Sequence, residues 1–119
     1  MENKALVRFS GMLGFAMRAG KLLIGTDLVC SSLSRSGKSS VELVLLCAAA
    51  SDGTKKKIHN KCEFYGKDLR EISTDPGELG RSLGKTYAPM VIGVCDAGFA
   101  TEIRKALDIL CQPSEEKTE

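Results

Sequence analysis

The sequence predicts an α/β/α sandwich, a small sheet with helices packed on both faces, and three observations lead there. Amphipathic stretches with a helical period alternate with short apolar runs. One of those runs, "VELVLLCAAA", is apolar almost without a break and rich in branched residues, as a central strand covered on both faces must be. The chain has 119 residues, 43% hydrophobic and 27% charged, which suits one domain around one core, and no repeat or linker divides it. The domain is expected over residues 1–112, followed by a flexible acidic tail at 113–119.

Taken in order, Leu6, Phe9, Leu13, Ala16 and Met17 recur at steps of three and four, giving an amphipathic helix that ends near Gly20. "KLLIG" follows as a short apolar strand. At Gly25-Thr26-Asp27 the chain turns from strand to helix, with Thr26 as the expected N-cap and Val29 and Leu33 as the buried side. "RSGKS" is the loop that ends this helix, and the central strand comes next. Ser51 or Asp52 caps a third helix, whose Ile58, Cys62 and Tyr65 line one face until Gly66 stops it, while Lys55, Lys56, Lys57 and Lys61 decorate the others. "DLREIS" reads as a strand. Asp75-Pro76-Gly77-Glu78 joins an N-cap, a proline at the first helical position and a glutamate at the third, the arrangement of a capping box. Leu79 and Leu83 are the buried side of that short helix and Gly84 its stop. "MVIGVC" is a second buried strand, and Phe99, Ile103, Ala106, Leu107 and Leu110 make the last amphipathic helix.

Composition narrows the function. No run of about 18 apolar residues is present to span a bilayer, and "MENKALVRFSG" lacks the basic start and apolar run of a secretory signal, so a cytoplasmic location is expected. Cys30, Cys47, Cys62, Cys95 and Cys111 are scattered singly, without the CxxC or Cys/His spacing that zinc requires. They are expected to be buried reduced thiols, with no metal, cofactor or disulfide framework. His59, the only histidine, falls among lysines and reads as a solvated side chain rather than a catalytic base. The net charge is +2, but the tail "PSEEKTE" holds three acids and one base, which leaves 16 basic against 12 acidic side chains, or +4, on the rest. That excess permits a polyanionic partner without requiring one.

Gly84-Lys85-Thr86 invites comparison with a nucleotide-binding loop. Such a loop needs a glycine five residues before its Gly-Lys-[Ser/Thr], so that backbone N–H groups curl around phosphate and lead into a helix N-terminus. Leu79 stands at that position, and Gly84 is expected to end a helix, where partial negative charge repels phosphate. Lys85 is placed to cap the carbonyls there. Gly37-Lys38-Ser39 has Ser32 where the first glycine belongs and runs into a strand, so it fails in the same way.

Read together, "RAGKLLIGTDLV", "TKKKIHNKCEFYG" and "LGRSLGKTYAPMVIGV" resemble the ribosomal-protein L7Ae superfamily of kink-turn RNA-binding proteins, and within it the small bacterial YlxQ-like branch. The resemblance runs from about Leu6 to Leu110, in order and with similar spacing. It implies an α/β/α sandwich with a four-stranded mixed sheet and no enzymatic activity. It also implies that RNA is gripped where a glycine-led G-[TA]-N-E-x-x-K turn opens the second helix. There the glycine admits a phosphate, asparagine and glutamate read sheared G·A pairs, and lysine reaches guanine or phosphate. A loop before the last strand packs on a nucleotide thrown out of the kink.

Gly25 and Thr26 match that turn; Asp27 stands for the asparagine, Leu28 for the glutamate and Ser31 for the lysine. Ala48 takes the place of an acidic residue at the end of the second strand, and Lys85, Thr86, Tyr87, Ala88, Pro89 and Met90 take the nucleotide-contacting loop. A glycine turn at a helix N-terminus suits phosphate, and irregular RNA exposes bases that a regular groove hides. Tyr87 could stack on an extruded base, worth about 1–3 kcal/mol in single-strand binders. Lys38 is expected to add charge to the same face. Plainer readings stand beside these: Gly25 as a tight-turn residue, Asp27 as a helix-dipole acid, Tyr87 and Met90 as core closure, and the lysines from 55 to 61 as a solvated face. The expectation is a monomeric, non-enzymatic protein that docks on structured ribosomal or translation-associated RNA. The alternative keeps the fold and uses the altered turn of Asp27, Leu28 and Ser31 as a protein-interaction module.

Overall fold

The computed structural model describes residues 4–34, 40–86 and 88–110, with the side chains of residues 4–6 and 110 left aside. Lys38 with its Gly-Lys-Ser, Tyr87, Cys111, the acidic tail and the side chains of Leu6 and Leu110 therefore lie outside the described residues. The elements run α1 (Lys4–Arg18), β1 (Leu22–Ile24), α2 (Thr26–Ser32), β2 (Leu43–Cys47), α3 (Asp52–Tyr65), β3 (Leu69–Ile72), α4 (Pro76–Ser82), β4 (Val91–Val94) and α5 (Ala97–Leu110). The strands form one mixed sheet in the order β1-β4-β2-β3, with β4 antiparallel to both neighbours and β2 parallel to β3.

The near-continuous apolar runs are the two central strands, β2 and β4, buried at every residue. Successive side chains of a strand point to opposite faces. Leu43, Leu45 and Cys47 accordingly pack with Phe9, Leu13, Leu79 and Ile103, whereas Val44 and Leu46 pack with Val29, Leu33 and Ile58. Helices α1, α4 and α5 thus cover one face, and α2 and α3 the other.

Local signals set the ends of these elements. Ser51 Oγ accepts from the Thr54 N–H at 3.2 Å and starts α3, as the sequence suggests. Asp75 Oδ2 accepts from the Glu78 N–H at 3.1 Å, but the Glu78 carboxylate lies 4.0 Å from Arg81, so only one half of the expected box forms. At α5, Asp96 Oδ2 accepts from the Phe99 N–H at 2.9 Å, a cap that Asp96-Ala-Gly-Phe99 spells locally. Two expectations need correction. Thr26 is not an N-cap: Gly25 holds that position and no side chain caps α2. Tyr65 is exposed rather than in line with buried Ile58 and Cys62, because α3 ends there with Gly66 turning left-handed.

The described thiols divide in two. Cys47 and Cys62 are buried, and burial pushes each up to about 11; Asp75 adds to the effect at Cys47, and Cys30 and Asp68 at Cys62. Cys30 and Cys95 are only half-buried, so among the described residues the buried reading holds for the first pair alone. His59 is exposed, its Nε2 3.5 Å from Glu71 Oε2. Among the described residues no helix is long and apolar enough to cross a membrane, and no group of His, Cys, Asp and Glu could hold a metal ion.

Candidate nucleic-acid interface

Because β4 runs against both β1 and β2, the end of β1, the end of β2 and the start of β4 meet at one edge of the sheet, with Ile24 opposite Ile92 and Leu46 opposite Val91. Backbone bonds tie the connections there. The Gly25 N–H donates to the Val91 carbonyl at 2.9 Å, and the Cys47 N–H to the Met90 carbonyl at 2.8 Å. The Cys47 thiol donates to the Pro89 carbonyl at 3.4 Å, and the Ala48 N–H to the Ile72 carbonyl at 2.7 Å. The Gly25 turn, Ala48 and the loop before β4 are therefore neighbours in space.

Gly25 has φ +119° and ψ 145°, a conformation that side-chain-bearing residues rarely adopt. Its carbonyl accepts from the Val29 N–H at 3.0 Å and opens α2. The first N–H groups of any helix lack an intrahelical acceptor, and no side chain caps these. Asp27 and Leu28 are exposed and Thr26 half-exposed. Asp27 Oδ1 lies 3.8 Å from Lys57 Nζ of α3, a link between helices that the sequence did not signal. Ser31 Oγ donates back to the Leu28 carbonyl at 3.0 Å.

On the loop side, Gly84 sits left-handed at the end of α4 with φ +72°. The Lys85 N–H donates to the Gly80 carbonyl at 2.8 Å and the Gly84 N–H to Arg81 at 3.1 Å. The main chain of Lys85 thus makes the cap expected of that residue, in the pattern that commonly ends helices on glycine. Gly84-Lys85-Thr86 leaves a helix instead of entering one, the reverse of a nucleotide-binding loop. Lys85 is half-buried, Thr86 and Ala88 are exposed, and Ala48 is exposed beside them. Pro89 is buried, and Met90 is half-buried between both halves of the core, so these two form the floor of the loop.

The surface is open and irregular, built from backbone turns and cations rather than from an acid–base pair. Comparison with known proteins bears on the family and the fold. The model of the ribosomal protein L7Ae/L30e/S12e/Gadd45 family matches residues 8–104. A Bacillus subtilis relative and an Enterococcus faecium relative, each named RNA-binding protein YlxQ, are 38% and 32% identical to this chain. Both matches cover 82% of this chain, and 92% and 88% of the relatives. A solved Bacillus halodurans protein of unknown function superposes with TM-score 0.74 at 36% identity, covering 85% of this chain and 97% of that one. The Giardia lamblia 15.5kD RNA binding protein shares the fold, with TM-score 0.67 at 17% identity over 92% and 89% of the two chains. With the sheet order, the turn and the loop in place, this chain belongs to the ribosomal protein L7Ae/L30e/S12e/Gadd45 family.

Proposed function

We propose that the chain is a non-enzymatic RNA-binding protein that docks on structured, kink-turn-like RNA through the Gly25 turn and the loop from Lys85 to Met90. The observation that carries this reading is that the two segments meet at one edge of the sheet, the Gly25 turn bonded to Val91 at the start of β4 and the preceding loop bonded through Met90 to Cys47 at the end of β2. Two further points support it: the curated relatives are named RNA-binding proteins, and nothing lies within 4 Å of the point where a Gly25 side chain would begin. A phosphate approaches the backbone there, Lys38 and Lys85 supply cations, and Thr86, Tyr87 and Ala88 receive a nucleotide above Pro89 and Met90. The RNA is ribosomal or translation-associated, and the protein acts as a cytoplasmic monomer.

Binding to a short kink-turn RNA beside a straight duplex of equal length, each titrated across salt, tests the proposal. The kink-turn is expected to bind more tightly, and Lys38→Glu or Lys85→Glu to weaken binding and flatten its salt dependence, since each phosphate contact adds to the slope. Reversals that bind as well as the parent would place the site elsewhere. Leu28 favours a second reading, a protein-interaction module, because it stands 45% exposed where the family turn carries a polar reader. A stoichiometric partner that survives nuclease and is lost on Leu28→Ser, with neither RNA bound, would select that reading.

A further inference from the structure

We propose that the flank of α3 bearing Lys57, Lys61 and Phe64 is a second RNA contact, on which a single strand leaving the Gly25 turn lies with phosphates at the lysines and a base on Phe64. The inference rests on the RNA reading of that turn and extends it along the neighbouring helix. Positions 57, 61 and 64 are spaced by four and three, which puts them in one row on a helix. The row begins at the proposed site, since Lys57 Nζ is 3.8 Å from Asp27 Oδ1. That pair is exposed on both sides, so it holds weakly and Lys57 is able to exchange the carboxylate for a phosphate.

Phe64 ends the row at 80% exposure, above every other exposed large apolar side chain among the described residues. It meets Tyr65 edge to face, with centroids 4.9 Å apart and rings at 90°, an arrangement that leaves ring surface open to a third ring. The acids of α3 keep away from this row. Asp52 and Glu63 fall on the opposite flank, together with His59, which faces Glu71. Seven residues of helix separate Lys57 from Phe64, about 10 Å at 1.5 Å per residue. That is the reach of roughly three stacked nucleotides at 3.4 Å each. Lysines with no carboxylate of their own helix beside them, followed by an exposed aromatic ring, match a phosphate backbone followed by a base; an acidic peptide would use the lysines and leave Phe64 in water.

The experiment compares a blunt kink-turn RNA with the same RNA carrying three unpaired nucleotides on its 5′ or its 3′ end. One of the extensions is expected to tighten binding about fivefold or more, the range that stacking of one base supplies. Phe64→Ala should abolish that gain and leave blunt-RNA affinity unchanged, and Lys61→Gln should lower the salt slope by about one for the extended RNA only. The chain contains no tryptophan, so Phe64→Trp provides a single reporter that the productive extension should quench and blunt RNA should not. Equal binding of blunt and extended RNA with an unquenched Trp would overturn the track and leave the Gly25 site standing. Failure of both RNAs to bind the parent would overturn the site and the track together. A protein partner that resists nuclease and is lost on Phe64→Ala would assign the aromatic pair to a protein contact instead.

Discussion

Gly25→Ala tests the backbone of the turn by itself. The added methyl meets nothing within 4 Å, so the substitution creates no clash and its cost is conformational. At φ +119° and ψ 145° the residue lies near the region that only glycine enters freely, where an L side chain costs about 1–3 kcal/mol. Relaxing the turn offers no cheaper route. It would break the Gly25-to-Val91 and Val29-to-Gly25 hydrogen bonds, each contributing about 1 kcal/mol. Both routes converge on a loss of about 2 kcal/mol. Two other glycines supply the scale. Gly66, also with open space around it, is left-handed at φ 66° and ψ 35°, and alanine there should cost about 1 kcal/mol. Gly53 lies inside α3 with open space and no positive φ, so alanine should stabilise by about 0.5 kcal/mol. Urea unfolding followed by helical circular dichroism, with unchanged m-values, reads the three variants in that order. A Gly25→Ala protein as stable as Gly53→Ala would mean that the folded turn is not held as described.

Two other expectations follow from single groups. Asp27→Asn removes an exposed negative charge from the proposed RNA face and gains an amide donor, so kink-turn affinity should rise while stability changes little, the Lys57 pair being exposed; an affinity below the parent's would count against RNA meeting this turn. Cys47 and Cys62, held near 11 by burial, should resist iodoacetamide at pH 8 until the protein unfolds, while half-buried Cys30 and Cys95 react first, as peptide mass spectrometry would show. Above the ordinary thiol value of 9.0 the unfolded chain loses thiol protons that the folded chain keeps, so stability should fall as pH rises from there towards about 11.

The layers were legible because burial leaves its period in the sequence. "VELVLLCAAA" and "MVIGVC" are covered on both faces and so read as strands, and Ser51 and Asp75 lie where helix N-termini need an acceptor. Thr26 misled because a threonine before an apolar run is a common cap, and nothing local reveals that Gly25 takes φ +119° one residue earlier. Tyr65 misled because periodicity continues to the last turn whether or not a neighbouring layer extends that far. The candidate site was readable as separate segments. Their contact depends on β4 pairing with both β1 and β2, a non-local fact absent from any short window, and so does the meeting of Asp27 with Lys57.

The substitutions in the turn fit a common shift in how RNA would be held. Where the resemblance implies asparagine, glutamate and lysine, Asp27 leans on Lys57, Leu28 offers no polar atom, and Ser31 spends its hydroxyl on the Leu28 carbonyl. What remains at this edge is the backbone at Gly25 and cations set off the turn, Lys57 on α3 and Lys85 on the loop. In the proposed reading, contacts to phosphate and shape therefore outweigh contacts to base edges, which position an RNA without reading its sequence. That reading expects a protein that prefers a bent RNA over a straight one, because only the bend would bring a phosphate to Gly25 and a base to the loop together, but that tolerates changes in sheared G·A pairs.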